Sequence, residues 1–559
     1  MTKKLTSFLV LSLCLVGALT AQNRYIDEIF TDVTVERDLT YSTNVDPLAI
    51  SQGAMGPTPQ LMDVYQPEGD TVSLRPVVVM FHTGNFLPQY FNGGPYGSRI
   101  DSGLVEITNR LVKRGYVGIS ATYRKGWQPT ATADSIRTGS LLQAVYRASQ
   151  DAHAMARFLR KSVAEDSNPY GIDTSRITFF GIGSGGYVVQ AHNFLDRTEE
   201  ILLNQNFYTP SGIPLVNESV NSNPQGTIQT MQNVPNWVGY KSNVAFTYNI
   251  GGALGDTLWM DGGSEESPMA SVHSFTDAFA PFYAGTVIVP TMPPMPVVDV
   301  QGSNLVMQLA NEKGLNDVLA PANEFMLDAK FDPLSGILNQ FTAGFKTVRT
   351  ASPVPTATLD SFQLGQDNLW TIVRLPADPT MPDPDAPDVG DLGLTSGLQN
   401  WFSEPILRAT IDQINIAVPD AMLDANAIID GEDQTNPNRA NPAAAKTFID
   451  TVMAHFIPRA YYALDIEGLV SSTNDLLTNQ QIGLEVFPNP ANEGFTVRTA
   501  EGHAIRSLRV MDMNGRIVKS VTNIDATTRF VTRGNLPRGA YLLQIQLDEG
   551  TTARKLILE

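Results

Sequence analysis

The chemistry available to this chain centres on one stretch, Arg176-Ile-Thr-Phe-Phe-Gly-Ile-Gly-Ser-Gly-Gly-Tyr187. A buried apolar strand, Ile177 to Phe180, runs into Gly181, Gly183, Ser184, Gly185 and Gly186, and a helical pattern follows. A serine hydroxyl becomes a nucleophile only where a base takes its proton and a third group orients that base. Glycine takes the positive-φ backbone of a sharp turn without the steric cost other residues meet. Other chemistries are poorly supplied. The single cysteine is Cys14, and no zinc spacing occurs, so the sequence predicts no metal and no cofactor. The acidic, proline-rich run 376–391 offers Asp383, Asp385, Asp388 and Asp391, but without Ca²⁺-loop spacing it reads as an extended, solvated loop.

The stretch resembles the nucleophile elbow of the α/β-hydrolase fold, and the approach Asn168-Pro-Tyr-Gly-Ile-Asp-Thr-Ser-Arg-Ile-Thr is similar to that of carboxylesterases. In that family the turn reads Gly-x-Ser-x-Gly-Gly. Here it reads Gly181-Ile182-Gly183-Ser184-Gly185-Gly186, so glycine stands at the nucleophile position and Ser184 falls one place later. The other register makes Ser184 the nucleophile, with Ile182 two places before it, where a small residue is favoured. His82-Thr83-Gly84-Asn85-Phe86 resembles the His-Gly-Gly-Gly-Phe loop of esterases, which implies an oxyanion-stabilising loop with Thr83 and Asn85 in place of two glycines. His82 is read as a structural member of that loop. Ser267-Pro-Met-Ala-Ser-Val-His-Ser-Phe-Thr-Asp277 resembles the segment carrying the triad acid, which implies that role for Asp277, a local turn acid being the alternative. The family's chain order then asks for a histidine before the last helix. His455 is the candidate, within a helix opened by Asn441-Pro442 and striped by Phe448, Ile449, Val452 and Phe456.

The elements that must position these groups alternate. Gln60–Pro67 and Pro76–Phe81 read as strands, Leu111–Arg124 as a helix end, strand and Tyr-Arg turn, Leu141–Val163 as a helix, and Asn243–Gly252 as a further strand. Such alternation predicts an α/β fold with a doubly wound, mostly parallel sheet. Residues 1–21, with Lys3, Lys4 and the apolar core Phe8 to Val16, read as a secretory signal peptide. The hydrolase-like domain covers 22–470 with an insertion at about 320–440, and 471–483 read as a polar linker.

From 484 the chain changes to short alternating strands, with Asn514-Gly515 a hairpin signal. Phe487-Pro-Asn-Pro490, Gly515-Arg516 and Leu536-Pro-Arg-Gly-Ala-Tyr541 together resemble the type A C-terminal sorting domain of the Bacteroidetes type IX secretion system, a small β-sandwich. That resemblance implies the type IX machinery as partner and a secreted or cell-surface location. The net charge is −19. Residues 1–21 and 484–559 each contribute +2, which leaves −23 on the body and argues against nucleic-acid binding. No run approaches the roughly 20 apolar residues of a membrane span. Three functions are compatible with this sequence. One is a catalytically degenerate hydrolase that binds a small-molecule ester or surface ligand. Another is an active ester hydrolase using Ser184 and Asp277 with a displaced base such as His455. The third is a structural or adhesive surface protein.

Overall fold

The computed structural model describes residues 23–473 and 483–559 apart from 278, 290–293, 324–330, 332–366, 373–399, 437, 501, 512–516 and 548–550. The signal-peptide segment, the acidic run 376–391, most of the linker and Asn514-Gly515 therefore lie outside the described residues. Two compact units divide after Leu464.

The first unit is built on an eight-stranded sheet. Its strands are β1 (Val33–Asn44), β2 (Thr58–Pro67), β3 (Arg75–Phe81), β4 (Val117–Ala121), β5 (Ile172–Ile182), β6 (Phe246–Ile250), β7 (Met269–Ser274) and, after a separate hairpin of β8 (Ala284–Val289) and β9 (Met295–Gln301), β10 (Leu369–Ile372). The spatial order is β1-β2-β4-β3-β5-β6-β7-β10. β1 and β2 run antiparallel to each other, as do β2 and β4, while every other pair is parallel. This is the doubly wound, mostly parallel sheet of an α/β fold. The unbroken apolar run Val77 to Phe81 is fully buried because helices cover both faces of β3.

The two faces are separable by the strand period of two. Phe179 faces α2 (Asp134–Glu165) and α3 (Ser184–Phe194), its ring 4.6 Å from that of His192 on α3. Phe180 points the other way, toward α1 (Ser102–Lys113) and the final helix of the unit, meeting Tyr248 at 4.6 Å and Phe456 at 5.3 Å. Arg124 at the end of β4 is pinned to Asp151 of α2, Nε to Oδ1 at 2.9 Å, and both side chains are fully buried. That pair joins the Tyr-Arg turn to the helix preceding the elbow strand.

The region expected to be an insertion contributes to the sheet itself. β10 pairs parallel with β7 over four residues, from Leu369 against Ser271 to Ile372 against Ser274. Farther on, α4 (Glu404–Ala417) and α5 (Ala425–Thr435) form a helical pair around Leu407, Ile411, Ile428 and Ile429. The long helix α6 (Pro442–Ala463) follows, capped by the Asn441 side chain on Ala444 N–H at 3.1 Å, with Pro442 in its first turn.

In the second unit β11–β12–β15 form one antiparallel sheet (Glu485–Phe487, Gly494–Arg498, Thr528–Thr532). β14–β13–β16–β17 form another (Ile517–Ala526, Ile505–Met511, Gly539–Leu547, Thr551–Leu558). Alternate residues Tyr541, Leu543, Ile545 and Leu547 of β16 enter a core shared with Phe495, Val497, Val510 and Leu556. β13 and β14 pair antiparallel on either side of Asn514-Gly515, Met511 opposite Ile517.

Candidate active site

The sharp turn predicted after Phe180 is present. β5 ends at Ile182, Gly183 takes φ +56° and ψ −117°, and Ser184 is the first residue of α3. The Gly183 N–H donates to Ile250 O at 2.7 Å, and its carbonyl accepts from Gly186 N–H at 2.8 Å. Gly183, not Ser184, is therefore at the apex of the turn. The flanking glycines answer to backbone packing: a Cβ on Gly181 would run into the Gly185 carbonyl, one on Gly185 into the Phe81 carbonyl, and one on Gly186 into the Asn249 side chain.

A Cβ on Gly183 would overlap the hydroxyl of Thr83 and stand 3.1 Å from the Thr83 Cβ. Thr83 thus occupies the volume into which a nucleophile would project. Its loop follows β3. His82 is fully buried and stacked on Tyr123, ring centroids 4.5 Å apart, and burial pushes its pKa down to about 3, so the imidazole is neutral. Gly84 at φ +124°, Asn85 at +54° and Phe86 at +55° bend the loop, and Trp127 Nε1 holds the Asn85 carbonyl at 2.7 Å. The backbone N–H groups of Gly84, Asn85 and Ser184 donate to no acceptor among the described residues. Unpaired donors beside the apex are what an oxyanion-binding loop presents.

The Ser184 hydroxyl is committed elsewhere. Tyr123 Oη lies 2.8 Å from the His82 carbonyl and 2.9 Å from Ser184 Oγ. A carbonyl only accepts, so the single phenol proton goes to His82 O and Ser184 donates to the phenol oxygen. Burial raises the Tyr123 pKa, so that oxygen is a neutral acceptor and no base for serine.

The structure does not bring His455 to this hydroxyl. His455 is fully buried in α6, its Nδ1 2.8 Å from Tyr248 Oη, among Tyr248 and Phe456 on the Phe180 face of the sheet. α3 covers the opposite face. The sheet between them corrects the expectation of a displaced base at His455. His273 is no substitute, since its ring is held by Ser303 Oγ at 2.7 Å and the Ala280 carbonyl at 3.2 Å. Asp277 Oδ1 accepts from the N–H groups of Phe279 at 2.8 Å and Ala280 at 3.0 Å, the turn-acid arrangement. Its side chain nonetheless lines the same cavity as Gly183, Ser184 and Tyr187.

That cavity measures about 670 Å³. Leu141 and Val145 of α2, Leu195 just after α3, Phe207 and Trp259 of two short helical turns and Val298 of β9 form much of an apolar wall. Glu432 of α5, which the sequence did not single out, also lines it, on the helix before α6, the stretch of chain where the resemblance asks for the catalytic base. It is 8% exposed and receives Tyr96 Oη on Oε2, and burial pushes its pKa up to about 7. Elsewhere, Asp196, Glu200 and Asp261 bring three carboxylates together, but the Arg197 guanidinium pairs with Glu200 at 2.6 Å and with Asp261 and offsets part of their charge.

Residues 485–559 match the secretion system C-terminal sorting domain family, which indicates type IX secretion to the cell surface or outside. No curated protein matches the chain in sequence. Among solved structures, the chain is similar to esterases and to an alpha/beta hydrolase. The propionate-bound esterase Est2 of the planctomycete Thermogutta terrifontis is 15% identical with a TM-score of 0.28, over 44% of this chain and 74% of that one. The paraoxon-phosphorylated esterase 2 of the same organism is 18% identical, TM-score 0.25, over 44% and 73%. MGS-M1, an alpha/beta hydrolase from a Medee basin deep-sea metagenome library, is 12% identical, TM-score 0.24, over 45% and 73%. Among the described residues, no helix is long and apolar enough to cross a membrane.

Proposed function

We propose that this exported hydrolase-fold protein is catalytically degenerate and works as a binding protein for a small molecule whose apolar part fills the cavity. The observation that carries the reading is the pairing of Gly183 with Thr83: the apex offers a hydrogen atom, and the neighbouring hydroxyl fills the space a nucleophile would need. The commitment of Ser184 to Tyr123 and the far-face position of His455 support it independently. Loss of nucleophile and base together costs several orders of magnitude in rate. A cavity of this volume with an apolar wall is suited to a ligand, which a purely adhesive role would not require. A signal peptide at 1–21 would deliver the chain to the periplasm before the C-terminal tail directs it outward.

The neutral dye Nile red tests the binding half of this reading. It is expected to bind the full chain in a single saturable phase that Val298→Trp, which pushes an indole into the cavity, weakens. Unsaturable uptake, or uptake unaffected by Val298→Trp, would reject the cavity as the binding site.

A further inference from the structure

The ionisable groups on the cavity wall are of one kind. Asp277 and Glu432 line it, and no lysine, arginine or histidine does among the described residues. A fatty carboxylate entering this space would meet two acids and no cation. The two carboxyl groups are also disposed differently. Asp277 spends one oxygen on the N–H groups of its own turn. Glu432 receives both of its donors, Tyr96 Oη and, at 3.5 Å, Asn436 Nδ2, on Oε2. Its Oε1 accepts from nothing among the described residues and stands beside Gly94 on the cavity wall, where an added Cβ would lie 3.2 Å away.

A carboxyl group that is buried, braced on one oxygen and open on the other calls for a donor from the ligand. A buried donor that carries charge is favoured only against an opposite charge, and that hydrogen bond is then roughly twice as strong as a neutral one. The charge of −23 on the body adds a long-range field that draws cations and repels anions. Resting on the binding reading above, we propose that the cavity takes an aliphatic amine, its chain against the apolar wall and its ammonium on Glu432. The unpaired N–H groups of Gly84, Asn85 and Ser184 are left for any carbonyl the head of the ligand carries.

Isothermal titration of the full chain at pH 8 with three probes of equal chain length, dodecylamine, 1-dodecanol and dodecanoate, tests this. Dodecylamine is expected to bind about tenfold or more tightly than either other probe. Glu432→Gln is expected to erase that margin while leaving 1-dodecanol within about threefold. Should that variant fail to fold, Glu432→Asp, which withdraws the charge by one methylene, is expected to reduce the margin in the same direction. Equal binding of the alcohol and the amine would overturn the proposal, as would an amine preference that survives loss of Glu432. Tightest binding by dodecanoate would overturn it while leaving the cavity a binding site. No binding by any probe would remove the underlying reading as well.

Discussion

The Thr83 hydroxyl stands where a side chain on Gly183 would have to go. The two residues lie on different elements, the loop after β3 and the apex after β5, and their sizes are complementary: glycine on one side admits threonine on the other. A side chain introduced at position 183 therefore meets both backbone strain at φ +56° and a steric block.

Gly183→Ser alone is predicted to destabilise the body by about 2–4 kcal/mol, from overpacking and positive-φ strain together. Thr83→Gly in the same chain is predicted to recover the steric part, giving a coupling energy of about 1 kcal/mol or more in a denaturant double-mutant cycle. Additive effects would mean that Thr83 moves aside freely and does not guard the apex. Neither variant is expected to hydrolyse p-nitrophenyl esters, because His455 lies across the sheet and the neutral His82 ring is buried against Tyr123.

His455→Ala is predicted to lower stability by about 2–4 kcal/mol through loss of buried ring packing and of the bond to Tyr248. Nile red affinity is predicted to stay within about twofold. A variant of unchanged stability that loses ligand or activity would return His455 to the site.

The elbow was legible in the sequence because its glycines answer to backbone. Gly181 and Gly185 sit where a side chain would strike a carbonyl of the neighbouring strand or helix, and only glycine satisfies such contacts. The alternation of strands and helices was legible for the same local reason, as continuous apolar runs and helical stripes. Glu432 was not, since nothing nearby distinguishes it from Asp430 and Asp433. Its burial comes from Tyr96, 336 residues earlier in the chain. Likewise the stripe of α6 announced a packed helix around His455 but not which face of the sheet it would cover. β10 is four residues long, and its identity as a strand depends on β7, nearly a hundred positions away.

Breaking the buried pair of Arg124 and Asp151 is predicted to be severe. Both side chains are fully buried, and Arg124→Met leaves an unpaired carboxyl that also holds the Arg124 N–H at 2.8 Å. The expected loss is on the order of 3–5 kcal/mol by urea denaturation. A loss below about 1 kcal/mol would show that water reaches the site and that the pair does not pin the turn.

Glu432 also sets a pH dependence. Its carboxyl is raised by burial to about 7 in the folded chain, against an ordinary value near 4.5. The folded state therefore holds the proton more tightly than the unfolded state. The associated stability is present in full below pH 4.5 and is lost as pH rises through 7. Glu432→Gln removes this term, so the variant should gain on the parent between pH 5 and 8, by on the order of 1 kcal/mol per pH unit in the steepest part. A difference that is flat with pH would show that the carboxyl is ionised throughout.

The most direct measurement is intact-mass analysis of the full chain after exposure to a fluorophosphonate, beside Ser184→Ala treated in the same way. With glycine at the apex and the Ser184 proton donated to Tyr123, the parent chain is predicted to keep its unmodified mass. A phosphonyl adduct on the parent that is absent from Ser184→Ala would contradict the account at its centre.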